Sequence, residues 1–378
     1  MFFFLAGLII AIACSAITIR TLVGYTDLNI VYKILVSILI LAGWFAFIIV
    51  SVIKKNDLLS PGAYAIITNV LYGLMGFVFV LFIFIMMRDI VWYAIYGITK
   101  LLKNDGWHID PRNMSLLNYA NLIVLGVSIL VCAYAFYQGY KLPNVVEQKI
   151  YTNKISRNLR IVQISDMHIT RATPISRVAQ IVNMVNNLSP GVIVLTGDTI
   201  DDNINLIEKQ LNMLREFSAP FGVYSIMGNH EFYNDIYASK RVLDDLNLKF
   251  LFNGGFHISN TNVFVAGIPD LNTMYERVNF WRTLNTSQKS DYKVLLSHNP
   301  IIIDSLSSGI VDLVLSGHTH GGQIFPFHWL VKHANNYLAG KYTVNGIDMF
   351  VSRGAGTWGP MMRLFAPSDI VVIDLIKK

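Results

Sequence analysis

Charge is what this sequence has least of. Only 14% of its 378 residues are Asp, Glu, Lys or Arg, against about 25% in a typical soluble domain. With 53% hydrophobic residues and a mean hydropathy of +0.48, that deficit excludes a wholly soluble chain and a disordered one. A dense Lys/Arg stripe is also missing. The net charge of +6 therefore leaves no nucleic-acid footprint and suits residues flanking a membrane surface. Cysteine is almost absent: Cys14 and Cys132 both lie in apolar stretches, which excludes a disulfide framework and leaves the compartment open. Internal repeats and low-complexity tracts are lacking too.

The few charges are unevenly spread. Residues 1–140 carry 13 of them, and the other 238 residues carry 41. This asymmetry divides the chain into a multi-pass transmembrane anchor at 1–140, a linker at 141–158 and a water-soluble domain at 159–378. Four apolar runs, 1–18, 34–53, 64–87 and 116–136, approach or exceed the roughly 20 helical residues that cross a bilayer core. The first lacks a basic leader and a small-residue cleavage site, so it reads as a retained anchor rather than a signal peptide. Residues 90–102 form a shorter apolar run, expected along the interface. No charge interrupts the interiors of the four runs, which points away from transport. Asn69 and Asn121 are expected to tie helices together. Lys and Arg near the spans number five on one side and six on the other, so the positive-inside rule assigns no orientation.

From about Ile155 the pattern becomes short β-rich runs alternating with amphipathic ones, the signature of an α/β domain. Buried strands are predicted at 160–165, 192–196, 223–227, 293–297 and 311–316, with helices at 175–187 and 204–217. Further strands are expected near 250–252, 263–268, 342–344, 349–352 and 370–375.

The exits of the buried strands carry the chemistry. The chain leaves them through Asp166-Met167-His168, Gly197-Asp198, Gly228-Asn229-His230-Glu231, Ser297-His298-Asn299 and Gly317-His318-Thr319-His320-Gly321-Gly322. In α/β sheets ligands bind beyond the carboxyl ends of strands, so motifs far apart in sequence converge there. Asp166 and His168 are two residues apart, as are His318 and His320, which on extended backbone puts each pair on one face. Glycine before Asp198, Asn229 and His318 allows backbone geometries that a Cβ disfavours at a sharp strand exit. Two Asp, one Asn and four His are too many donors for one tetrahedral ion. They match two ions sharing a bridging carboxylate. His108, His257, His328 and His333 read as loop or surface histidines, and Asp201 and Asp202 as solvated residues at a helix start.

The ordered set DMH, GD, GNHE, SHN and GHTHGGQ resembles the calcineurin-like metallophosphoesterase superfamily from about Arg160 to the C-terminus. The closing VSRGAGTWGPMMRLFAPSDIVVIDL resembles its membrane-associated branch related to YkuE and YaeI, which includes enzymes that split a nucleotide-lipid pyrophosphate. The resemblance implies an αββα two-sheet sandwich following an all-α transmembrane region of about four helices. It implies Asp166, His168 and His320 at a first metal, Asn229, His298 and His318 at a second, Asp198 bridging, and His230 at the phosphate and leaving group. Gly191 stands where relatives commonly carry Asp, away from the metal-facing end.

The expected activity is phosphoester or pyrophosphate hydrolysis by metal-activated water, on a phosphorylated small molecule or a lipid-linked substrate at the bilayer. The alternative is a membrane receptor or scaffold whose phosphoesterase-like domain binds without turnover. Mixed nitrogen and oxygen donors favour two divalent ions of the Mn, Fe or Zn type over calcium. Arg363 is a candidate phosphate ligand, with a structural salt bridge as the other reading. Phe325, Phe327, Trp329 and Leu330 read as core packing, with a lipid-facing lip as the alternative.

Overall fold

A computed structural model describes the chain except residues 1, 25, 27, 58, 103–109, 111–112, 234–235 and 272–276, and leaves out the side chains of residues 2–6. His108 lies outside the described residues. The chain divides into two compact units, Met1–Tyr137 with Gly359–Met362, and Gln138–Trp358 with Arg363–Lys378.

The first unit is helical: α1 (Phe2–Ile19), a π-helical turn Arg20–Gly24, α2 (Ile30–Trp44), α3 (Ala46–Asn56), α4 (Pro61–Leu101) and most of α5 (Met114–Tyr140). Among the described residues, three helices are long and apolar enough to cross a membrane, and four if α2 and α3 count as one span bent by 64°. The bend interrupts the run expected at 34–53 and comes just after Gly43, a common kink residue. A Cβ at Gly43 would sit 2.7 Å from Val78 Cγ2, so the small residue also lets α2 approach α4 closely. Helix α4 opens with Ser60 as cap and Pro61 in the first turn, where proline's missing N–H costs nothing. It then runs unbroken for 41 residues, about twice the length needed to cross the hydrocarbon core. The stretch 90–102, expected as a separate interfacial segment, is therefore mostly the continuation of α4. Asn121 is buried, donates to the Thr21 carbonyl at 2.9 Å and accepts from Arg88 Nη1. Its amide joins three helical segments, whereas Asn69 is exposed.

The second unit contains two six-stranded sheets. The first has the order β1 (Asn144–Thr152), β12 (Asp369–Lys377), β2 (Leu159–Ile164), β3 (Val192–Thr196), β4 (Val223–Ile226), β5 (Leu248–Phe250). The second runs β10 (Gly340–Val344), β11 (Ile347–Val351), β9 (Leu313–Ser316), β8 (Tyr292–Leu296), β7 (Val263–Gly267), β6 (Gly254–Ile258). Neighbours β2 to β5 are parallel, as are β7, β8, β9 and β11.

Alternation along the strands builds three layers of core. Ile161, Val192, Val194 and Ile226 face Val265, Val294, Leu296 and Leu315 between the sheets. Val162, Ile164, Ile193 and Leu195 point the other way, onto the helices Ile175–Asn187 and Ile204–Asn212. Leu295 and Val314 pack on the outer side of the second sheet. Sheets covered on both faces need apolar residues at nearly every strand position, and that is why these strands read as continuous apolar runs.

The stretch read as a linker holds β1, which pairs in parallel with β12 over nine residues. This edge strand is only partly buried: Val146 and Ile150 pack on the inter-sheet core and Val145 on the helix side, while Glu147, Lys149 and Tyr151 are exposed. Its sequence therefore lacks the dense apolar run of a central strand. Strand β6 also lies outside the predicted set, since Gly254 and Gly255 weaken its propensity.

Candidate metal centre

Strands β2, β3 and β4 of one sheet and β8 and β9 of the other release their chains into the five loops that carry the motifs. The loops are stitched together by backbone: Asp166 N donates to the Gly197 carbonyl at 3.0 Å, His168 N to the Asp198 carbonyl at 2.9 Å, and Gly317 N to the His298 carbonyl at 3.0 Å. Two glycines leave room where the loops meet. A Cβ at Gly228 would lie 2.2 Å from Asp198 Oδ1, and one at Gly317 would lie 1.9 Å from Ser165 Oγ. Five of the seven expected ligands have left-handed backbone: Asp166 (φ 53°), His168 (45°), Asp198 (52°), His318 (73°) and His320 (51°). Each such conformation costs on the order of 1–3 kcal/mol and persists only where its surroundings over-determine it.

Ligand atoms of Asp166, His168 and His320 lie within 4.8 Å of one another, as do those of His168, Asp198 and His230, and those of Asp198, His298 and His318. Asp198 Oδ2 stands 3.8 Å from His168 Nε2 and 3.1 Å from His298 Nε2, so it lies between two groups of donors. His320 Nε2 is 3.4 Å from Asp166 Oδ1 and 2.9 Å from His168 Nε2, and His318 Nδ1 is 3.3 Å from His298 Nε2. Asn229 opens the short helix Asn229–Tyr233, and its Oδ1 is buried without a hydrogen-bond partner. A buried amide oxygen left unpaired is costly, and a cation held by its neighbours would satisfy it. The donor set is nitrogen and carboxylate or amide oxygen, the chemistry of a transition-metal site rather than of calcium.

The electrostatics suit the same purpose. Burial, His168 and Arg363 hold the His320 imidazole well below its ordinary pKa, and burial with His298 lowers His318. Both rings thus stay neutral with a lone pair free for a cation. Burial pushes the Asp198 carboxyl up, but His298, His168 and His230 outweigh it and keep it ionised. His298 runs the other way: burial penalises its charged form, yet Asp198 and Asp166 lift its pKa well above the usual value, so a cation bound there would displace a proton.

Two acidic residues do more than their sequence reading allows. Asp201, expected to be solvated, places Oδ2 3.2 Å from His168 Nδ1 and Oδ1 3.0 Å from His230 Nδ1. Asp202 is buried and binds Arg171 through Nε and Nη2, both at 3.0 Å. A carboxylate three or four residues after a strand-exit Asp is the available signal. It is hidden because Asp at a helix start is usually a cap.

Glu231 is buried and accepts from the backbone N–H groups of Asp198, Thr199, Ile200 and Gly228 at 3.0, 2.6, 2.8 and 2.8 Å. It locks the second and third motif loops to each other. Burial, then Asp198, pushes its carboxyl up to about 7. The side chain of His230 is only 15% exposed, with the rings of Tyr233 and Trp358 at 5.5 and 6.4 Å.

Arg363 departs from the phosphate-ligand expectation. Its guanidinium is fully buried and donates to the carbonyls of His320, Ala366, Gly354 and Gly356. With its fork spent on backbone, it holds the His320 loop in place instead of opening toward a substrate. The aromatic stretch expected in the core is also largely on the surface: Phe327, Trp329 and Leu330 are exposed.

The sequence pattern of the calcineurin-like phosphoesterase family matches residues 159–322. An uncharacterized metallophosphoesterase of Helicobacter pylori is 35% identical over 294 residues, 75% of this chain and 78% of that one. A transmembrane protein with metallophosphoesterase domain from Danio rerio is 30% identical over 271 residues, 67% of this chain and 62% of the relative. The uncharacterized metallophosphoesterase YkuE of Bacillus subtilis is 28% identical over 258 residues, 63% of this chain and 88% of its own.

Proposed function

Since this chain belongs to the calcineurin-like metallophosphoesterases and is a metal-dependent phosphoester hydrolase, we propose that it is a multi-pass protein of a bacterial inner membrane that cleaves a phosphoester or pyrophosphate bond at a two-metal centre. The observation that carries the reading is the position of Asp198, shared between two groups of donors, beside the unpartnered oxygen of Asn229. Asp166, His168 and His320 would hold one divalent ion of the Mn, Fe or Zn type, Asn229, His298 and His318 the other, and Asp198 both. Such ions, when bound, lower the pKa of water and neutralise charge on phosphoryl oxygens.

The chain's own contribution is orientation and proton supply. His230 gives its Nδ1 to Asp201, which leaves Nε2 to donate toward a leaving oxygen. Burial disfavours the imidazolium, but Asp201 and Asp198 outweigh burial and raise the His230 pKa, favouring the protonated form. Asp201 also orients His168 through Nδ1, the outer-shell arrangement that fixes a ligand histidine's tautomer. The substrate class supported by the apolar helices is a phosphorylated lipid or nucleotide-lipid.

The test is metal-dependent hydrolysis of bis-p-nitrophenyl phosphate by the detergent-solubilised full chain, with Asp198→Ala as control. Turnover with Mn²⁺ or Zn²⁺ that Asp198→Ala abolishes is the expected result. No turnover with Mn²⁺, Fe²⁺ or Zn²⁺ overturns the reading in favour of a binding module. Accumulation of one phosphorylated lipid in cells carrying Asp198→Ala would identify the substrate, and an unchanged lipid profile would remove the lipid assignment.

A further inference from the structure

Next in sequence to the last ligand motif, the catalytic unit carries an exposed apolar surface. Trp329 and Leu330 are each 64% exposed and Phe365 is 75% exposed. Trp329 and Phe365 belong to one cluster organised by Phe325, whose ring lies 5.4 Å from Trp329 and 5.7 Å from Phe365, and Leu330 follows Trp329 on the same helix. His328 stacks on Phe325 at 4.9 Å. The backbone of Phe365 is left-handed, with φ 60°. For a bulky aromatic residue this is an outlier, and here it projects a phenyl ring into the open.

The cluster is joined to the ligand loop. Phe325 N donates to the Leu364 carbonyl at 3.2 Å, Leu364 N to the Gln323 carbonyl at 2.9 Å, and Gln323 comes directly after the His318–Gly322 motif. Of the cations in this part of the chain, Lys341 pairs with Asp348 at 3.1 Å, Arg353 with Asp369 at 3.2 Å, and Arg363 is buried on backbone carbonyls, so the basic character at the cluster comes from its own helix. Lys332 and His333 lie exposed in the last turn of the helix His328–Asn335, the same helix that carries Trp329 and Leu330. Exposed Trp, Phe and Leu beside basic residues are the composition of a surface that enters the headgroup layer of an anionic membrane.

The chain also keeps this unit close to a bilayer. Helix α5, apolar enough to cross one, ends at Tyr140, and β1 begins at Asn144. The connection between them is three residues long, and buried Arg177 donates to the carbonyls of Gly139, Tyr140 and Lys141 at 3.2, 2.7 and 3.2 Å. A short tether gives a weak surface contact a high effective concentration.

We propose that Trp329, Leu330 and Phe365 form an interfacial membrane contact that seats the catalytic unit on an anionic bilayer. This rests on the membrane-anchored hydrolase reading for its purpose, while its test does not require turnover.

The experiment places a nitroxide at Leu330→Cys or Phe365→Cys in the full chain carrying Cys14→Ser and Cys132→Ala, reconstituted in phosphatidylcholine–phosphatidylglycerol vesicles. Glu208→Cys, on the exposed face of the helix Ile204–Asn212, serves as the aqueous reference. Labels at 330 and 365 should lose most of their accessibility to a water-soluble nickel chelate and gain accessibility to oxygen, while the label at 208 should do neither. Omitting phosphatidylglycerol should partly restore nickel access. Equal nickel access at 330, 365 and 208 overturns the proposal. So does a spin–spin distance between two labelled copies, which would assign the face to a dimer. Hydrolysis of bis-p-nitrophenyl phosphate by the same samples checks folding. If the unlabelled parent also fails there, the hydrolase reading falls and the accessibility result still stands by itself.

Discussion

Asp201 holds His230 at 3.0 Å through one carboxylate oxygen and His168 at 3.2 Å through the other. One side chain thus orients both an expected metal ligand and the expected proton donor, without itself belonging to the metal-competent clusters found among the described residues.

Asp201→Asn keeps the shape and removes the charge. Removing an outer partner of this kind typically costs about 10–100-fold in activity or metal affinity. The expected outcome is a fall of that order in kcat, with bound metal reduced but detectable by elemental analysis. Unchanged kcat would show that the two histidines are held without it.

His230→Ala separates proton supply from metal binding. Loss of a general acid lowers turnover by about 10²–10⁴-fold, and metal stoichiometry should stay at the parent level. A leaving group of low pKa, such as p-nitrophenolate, should suffer less than an alkoxide, because it needs no proton. Equal losses on both substrates would remove the acid role.

Asp198→Ala takes away the oxygen shared by two donor groups. Metal content should drop by at least half, and activity should vanish. Lowering the pH should release metal from the parent, since protons compete with a cation for the ligand imidazoles. The sign is fixed: a cation needs the neutral ring, so retention falls as pH falls. Elemental analysis after gel filtration at neutral and at acid pH would show it.

Glu231→Ala tests the link between the second and third loops. Four backbone donors would lose their acceptor, each costing about 1–3 kcal/mol when buried unpaired. The catalytic unit should lose stability by at least about 3 kcal/mol, seen as a lower thermal midpoint before any effect on metal is considered. A midpoint equal to the parent's would assign the glutamate a purely chemical role.

The legible parts of this protein are those written in contiguous residues. Central strands such as 192–196 are buried on both faces and so appear as unbroken apolar runs, whereas β1 and β6 lie at sheet edges and leave weak traces. The ligand candidates can be read because each motif comes directly after a buried strand. Asp201 and Asp202 cannot, because a capping carboxylate and a histidine-orienting one have the same local sequence. The glycines before the ligands are expected to supply backbone freedom. Of the three, only Gly197 has a positive φ (91°), while Gly228 and Gly317 give room to Asp198, Ser165 and Asp166.

By itself the sequence determined the apolar N-terminal helices, the α/β alternation and the residue types able to bind metal, because hydropathy, period and donor chemistry are local properties. Only the tertiary structure decided that Asp198 stands between two donor groups, that Arg363 is committed to backbone carbonyls and that Phe365 points outward. Those outcomes depend on distances between loops remote in sequence, or on which face of a segment finds a partner, and no stretch of sequence contains either.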